Sequence, residues 1–183
     1  MSVIQLSARL VGTGRALVPA SLFLIAVASA SQAQTAAPAR TMGPEATVET
    51  HNKAIVKAAF EKWRTGGDVF AELLSPDIVW TIRGSGPVAG TYRGLEDFTQ
   101  RASAPLVSRL IGPIMPEVRS IWADGDTVII RFDGSATTTS GAPYRNQFVW
   151  ILRMNGGRAV EAEAFLDLIA YQQVVENNEP RTQ

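Results

Sequence analysis

The sequence predicts an α+β domain in which a curved, mostly antiparallel sheet wraps round three N-terminal helices to form a cone-shaped α+β barrel. Two observations carry this. Apolar residues recur at helical three- and four-residue spacing in the first half of the chain, and β-branched and aromatic residues accumulate in extended runs in the second. No internal repeat of solenoid or propeller period interrupts that order. A one-sided sheet has to cover its apolar face, and three modest helices can do so only if the sheet curls round them. The open end of such a cone is where a pocket forms.

The chain has 183 residues, 46% hydrophobic and 19% charged, a globular composition. Residues 1–33 read as a signal peptide: Arg9 and Arg15 precede the apolar run Ala16 to Ala28, which is short for a bilayer. Ala28-Ser29-Ala30 and Ser31-Gln32-Ala33 offer cleavage after Ala30 or Ala33, so the mature protein is expected in the periplasm or outside the cell; the alternative is an uncleaved anchor. A flexible leader is expected over 34–48, the cone domain over 49–176 and a C-terminal tail over 177–183.

Charge and composition exclude several functions. Cleavage removes Arg9 and Arg15 from a neutral precursor of 17 basic and 17 acidic residues, leaving a net side-chain charge of −2 and no basic patch for nucleic acid. No membrane partner is expected once the signal is gone. The absence of Cys rules out disulfides, thiol nucleophiles and thiolate metal sites. His51 is the only histidine and reads as a solvated helix-start residue, so no metal cluster forms on it. Glycine-rich phosphate loops are missing, and Gly84-Ser85-Gly86 is a turn rather than a nucleophile elbow, so no cofactor is expected.

Taken in order, Ile55, Val56, Ala59, Phe60 and Trp63 mark one face of a first helix, with Thr50 as N-cap and Gly66-Gly67 as stop. Asp68 caps a short second helix carrying Val69, Phe70, Leu73 and Leu74. Strands follow over 78–82 and 88–92, then a third helix over 94–109 that Pro105 must kink. Long strands are expected over 114–122, 127–138, 144–153 and 158–166, the last two joined through Asn155-Gly156-Gly157, and a final helix over 168–176.

Asn52 to Trp63, Asp77-Ile78-Val79-Trp80, Gly90-Thr91-Tyr92-Arg93-Gly94, Asp124-Gly125-Asp126-Thr127-Val128 and the closing hairpin from Gly141 to Asp167 resemble, in order and spacing, the nuclear transport factor 2-like superfamily, within it the SnoaL-like and ketosteroid isomerase-like proteins. The resemblance covers about Glu49 to Glu176. It implies a curved sheet round helices, a conical cavity and a homodimer packed through the outer sheet. It does not imply one reaction, because the superfamily includes isomerases, epoxide hydrolases, dehydratases, cyclases and proteins without catalysis. This chain also departs from two members. The ketosteroid isomerase tyrosine has no counterpart between Asn52 and Arg64, and Arg145-Asn146-Gln147 lacks the acid of the limonene epoxide hydrolase Arg-x-Asp pattern.

The expected site centres on Asp167, where the last strand ends. If it closes a pocket wall beside Phe165, its desolvated carboxylate is a general base; alternatively it N-caps the final helix. Asn146 falls opposite on the neighbouring strand, placed to orient a substrate oxygen or to serve the backbone, and related pockets often carry a polar residue there. Trp80, Ile82, Tyr92, Phe148 and Trp150 are the expected pocket-lining residues, together with Phe165. Two functions follow for a small hydrophobic ligand. One is a cofactor-independent isomerase, hydratase or hydrolase of a carbonyl or cyclic compound, with Asp167 as base; the other is a non-catalytic ligand-binding or dimeric scaffold domain.

Overall fold

The structure, a computed structural model, describes residues 44–182. The expected signal peptide, 1–33, and most of the leader lie outside the described residues. A first helix, α1 (Pro44–Arg64), starts well before Thr50, which is therefore not its cap but an interior residue. Proline suits that first position because the N–H it lacks would have no helical partner. Val56, Ala59 and Phe60 are buried on one face, and α1 ends where Gly66 and Gly67 donate back to Trp63 O and Lys62 O, both at 2.9 Å.

Helix α2 (Val69–Leu73) starts where the Asp68 carboxylate accepts from Phe70 N at 2.9 Å and Ala71 N at 3.2 Å. Strand β1 (Leu74–Ile82) begins earlier than expected and runs through Pro76. This is tolerated because Pro76 falls between the paired positions Leu74 and Val79, where the register shifts and no ladder bond is needed. Strand β2 (Gly90–Arg93) pairs with it antiparallel.

The expected third helix is three pieces: α3 (Leu95–Phe98), a π-helical segment (Thr99–Ser103) and α4 (Ala104–Val107). Pro105 explains the break. It has no N–H to give and its ring crowds the carbonyl four residues back, and the wider π turn, closed by Ala104 N to Thr99 O, absorbs both problems.

Strands β3 (Met115–Asp124), β4 (Thr127–Thr137), β5 (Pro143–Asn155) and β6 (Arg158–Leu166) complete a six-stranded sheet in the order β2-β1-β6-β5-β4-β3. It is antiparallel except for β1 against β6. The β5–β6 hairpin turns on Gly156 and Gly157, both at positive φ (56° and 82°), which the right-handed twist of a tight hairpin demands. Helix α5 (Leu168–Asn177) follows directly, and the expected tail is tied down: Arg181 N donates to Ser108 O at 2.8 Å and Arg109 Nε to Asn178 O at 2.8 Å.

Strand parity decides which side chains face the helices. On β4 and β5 the even residues point inward, including Phe132, Phe148, Trp150 and Leu152, all buried. On β6 the inward residues Ala162 and Ala164 are buried alanines. Large rings on neighbouring strands therefore face a strand with almost no side-chain volume, and the interior stays partly open between them. At Gly134 the opposite holds: an added Cβ would lie 2.8 Å from the Phe148 ring and 2.9 Å from Ile114, so only glycine lets that ring seat.

Candidate binding site

The inner face and the helices enclose a cavity of about 420 Å³. Trp80 and Ile82 of β1, Phe148 and Trp150 of β5, and Ala164 and Leu166 of β6 form the sheet wall. Trp63 and Phe70 come from the first two helices, and the π segment with α4 supplies Thr99, Ala102 and Ser103. The rings hold one another: Trp80 stacks on Phe98 at 4.3 Å between centroids, and Trp150 meets Trp80 edge-on at 5.0 Å and Phe60 at 5.4 Å. Such a wall is rigid and suits a flat, apolar ring system.

Polar groups round this cavity are few. Tyr171 donates its hydroxyl to Ala102 O at 2.8 Å, and burial pushes its pKa well above the ordinary tyrosine value, so it stays protonated. Thr99 Oγ1 donates to Glu96 O at 3.0 Å. The hydroxyl of half-buried Ser103 makes no hydrogen bond among the described residues. Trp80 is 1% exposed and its Nε1 is a buried donor with no hydrogen-bond partner among the described residues. The one carboxylate in the lining is Asp68, exposed at the mouth, whose Oδ1 caps α2.

Asp167 and Asn146 meet, but not as a base and its helper. Asn146 is 5% exposed, and its amide is saturated. Nδ2 donates to Asp167 O at 2.9 Å and to the Tyr144 hydroxyl at 3.0 Å, while Oδ1 accepts from Asp167 N at 2.9 Å and Gln147 N at 2.8 Å. Nothing is left for a substrate oxygen. The Asp167 carboxylate is exposed, and its Oδ1 accepts from Ile169 N at 2.9 Å and Ala170 N at 3.0 Å, so it serves as the N-cap of α5. The expected catalytic pair is corrected to a structural clamp and a cap. The physical reason is parity: Glu163, Phe165 and Asp167 share the outer face of β6, whereas Ala162, Ala164 and Leu166 look inward.

Two expected lining residues are also displaced. Phe165 is 43% exposed on the outer face. Tyr92 is buried behind Phe98, with ring centroids 6.2 Å apart, and its hydroxyl donates to Val88 O at 2.7 Å. His51 is exposed on α1. Asp167, Asn146, Arg145 and Asp133 instead border a separate polar cleft of about 550 Å³. There Arg119 bridges Asp133 at 2.8 Å, and Arg131 Nη2 stands 3.9 Å from Asp133 Oδ1. Burial pushes Tyr144, at the edge of this region, up to about 12.

Residues 56–162 match the family model for the SnoaL-like domain. The chain belongs to the SnoaL-like family. No curated protein matches the sequence. Among solved structures, a candidate SnoaL-like polyketide cyclase from Jannaschia sp. CCS1 is 17% identical, covers 77% of this chain and 100% of its own, and superposes with a TM-score of 0.56. TerC, crystallised with polyporic acid, is 22% identical over 69% of this chain and 98% of its own, TM-score 0.57. An NTF2-like protein from Burkholderia thailandensis E264 is 23% identical over 69% and 96%, TM-score 0.53. These likenesses show a shared fold.

For this SnoaL-like domain, sequence reading overlooked the helical half of the cavity. Phe70 was legible as a helix-face residue and Asp68 as a cap, but nothing in their spacing says that they border the same space as Trp80. The one available signal was Pro105, whose incompatibility with a continuous helix marks the segment that became a wall.

Proposed function

We propose that this domain binds a small, neutral, ring-containing molecule in the aromatic cavity. The observation that carries this is the lining itself: a cavity of about 420 Å³ bounded by packed rings, with one carboxylate at its mouth. The test is titration with the neutral fluorescent probe N-phenyl-1-naphthylamine. Saturable one-to-one binding is expected, and Ala164→Phe, which fills the gap left on β6, should weaken it at least about tenfold. Equal binding by wild type and variant would place the probe elsewhere and end this reading.

A second reading is an isomerase or cyclase that works without a cofactor, and one observation favours it. Asp68 Oδ2 takes part in no hydrogen bond or ion pair among the described residues while Asp68 borders the cavity. A carboxylate there has the position, at the ligand's edge, to accept a proton from a carbon next to a carbonyl. The solved structures of a candidate polyketide cyclase and of TerC with polyporic acid share this fold and add weight to cyclic ligands. Turnover that survives Asp68→Asn unchanged would exclude this role.

The proposal includes export and self-association. Export rests on the arginine-flanked apolar run before Ala30 and Ala33, and the mass of the mature N-terminus tests it. Self-association through the outer sheet rests on Trp122, 51% exposed, and Phe165, 43% exposed, lying on one face with Ile129, Val149 and Ile151. Sedimentation of wild type as a monomer at micromolar concentration would reject it.

A further inference from the structure

We infer that Trp80 is a specificity-determining residue: its indole N–H recognises a hydrogen-bond acceptor oxygen carried on the ring system of the bound molecule. This inference rests on the aromatic cavity being the binding site and goes further by naming what the ligand must carry. Trp80 Nε1 is the buried nitrogen donor left without a partner among the described residues, in a side chain only 1% exposed that borders the cavity. Buried donors are nearly always paired, because an unpaired one has given up its bond to water and gained nothing in exchange.

Among the described residues, none supplies the indole N–H with a hydrogen-bond acceptor. Phe98 stacks against it with planes 23° apart, and Phe70 and Trp150 meet it at 82° and 84°. The same packing fixes the ring, so it cannot turn to find a carbonyl. The buried hydroxyls of Tyr171 and Tyr92 are turned to backbone carbonyls, Ala102 O and Val88 O, and neither pairs with the indole. An acceptor has to arrive with the ligand. A ketone or quinone-type carbonyl oxygen on a flat apolar frame meets both demands, stacking with the rings and accepting from Nε1. A charged carboxylate does not fit as well, because no cation lines the cavity to offset its desolvation.

The experiment is a matched pair of probes, 2-acetylnaphthalene and 2-ethylnaphthalene, similar in shape and differing in one carbonyl oxygen, titrated against the full mature chain by calorimetry. Wild type should bind the ketone about tenfold more tightly, and Trp80→Phe should bring the ratio close to one while keeping affinity for the ethyl compound within a few-fold. A ratio of one in wild type, or a ratio unchanged in Trp80→Phe, overturns the inference and leaves the cavity's role as a binding site intact. If neither probe binds, both fail together. Should Trp80→Phe not fold, wild-type protein with 15N-labelled tryptophan decides. Of the four tryptophans, one buried indole N–H resonance should move downfield with the ketone and stay in place with the ethyl compound. No differential movement overturns the inference.

Discussion

Strands β5 and β6 contribute to two hollows of similar size on opposite faces of one sheet, and the two are lined by opposite kinds of side chain, apolar rings inside and charges outside. In the outer cleft, charges are abundant and several are engaged: Arg119 holds Asp133, Asn146 makes four hydrogen bonds, and Asp167 caps α5 through Oδ1, while Asp133 Oδ1 is buried without a hydrogen-bond partner among the described residues. In the inner cavity, polar atoms are scarce; those unengaged among the described residues include Asp68 Oδ2, the Ser103 hydroxyl and Trp80 Nε1, of which the indole nitrogen is the fully buried one. What distinguishes the proposed ligand site is its wall of packed rings round a buried, unpaired indole N–H, rather than the density of charge. An acid picked out by type alone leads to the outer face.

Substitutions at four positions sharpen this contrast, and the largest effect belongs to Asn146. Asn146→Ala strands the backbone N–H of Asp167, takes one of the two donors from its carbonyl, which keeps Tyr171 N, and loses the bond to Tyr144. It should lower stability by about 3 kcal/mol in urea unfolding, with cavity binding retained in the folded fraction. A selective loss of binding at unchanged stability would instead return Asn146 to the ligand site.

The two capping aspartates come next. Asp68→Ala and Asp167→Ala should each cost about 1 kcal/mol, whereas the Asn variants, which still cap, should cost much less. Only substitutions at Asp68 should alter ligand binding or turnover, since Asp167 borders the other hollow. A change in cavity binding in Asp167→Asn would break the separation of the two faces.

The smallest effect is electrostatic. Glu163 on the outer face of β6 is held below the ordinary glutamate value of 4.5 by its hydrogen bonds to Arg83, at 2.8 and 3.0 Å. A carboxyl whose folded value is depressed stabilises the fold above its ordinary value and loses that contribution as pH falls through the depressed one. Glu163→Gln should therefore reduce the fall in melting temperature on acidification from pH 5 to about 3, by a degree or so given the pair's exposure. An identical acid profile would show the pair to be energetically neutral.

Much of the fold was legible from residue order. Gly66-Gly67 and Asp68 announce a stop and a start, Gly156-Gly157 a hairpin, and the odd–even alternation of Phe148, Trp150 and Leu152 a half-buried strand. The register that sets Asn146 beside Asp167 was legible too, because hairpin length fixes pairing. Asn146 sharing the inner parity of Phe148 while Asp167 sits on the outer parity of Phe165 was in the pattern, but which parity faces inward on β6 was not. Ala162 and Ala164 give a weaker apolar signal than Phe165, so hydrophobicity alone chooses the wrong face.

By itself, then, the sequence determined the element types, their order, the caps and the turns, since these depend on contacts within a few residues. Tertiary structure alone decided where the empty space lies and which polar atoms remain unpaired. A cavity is volume left between segments remote in the chain: small alanines on β6, rings from β1 and β5, and a π turn imposed by Pro105. The freedom of Trp80 Nε1 is likewise a property of all its neighbours at once, and no local spacing encodes it.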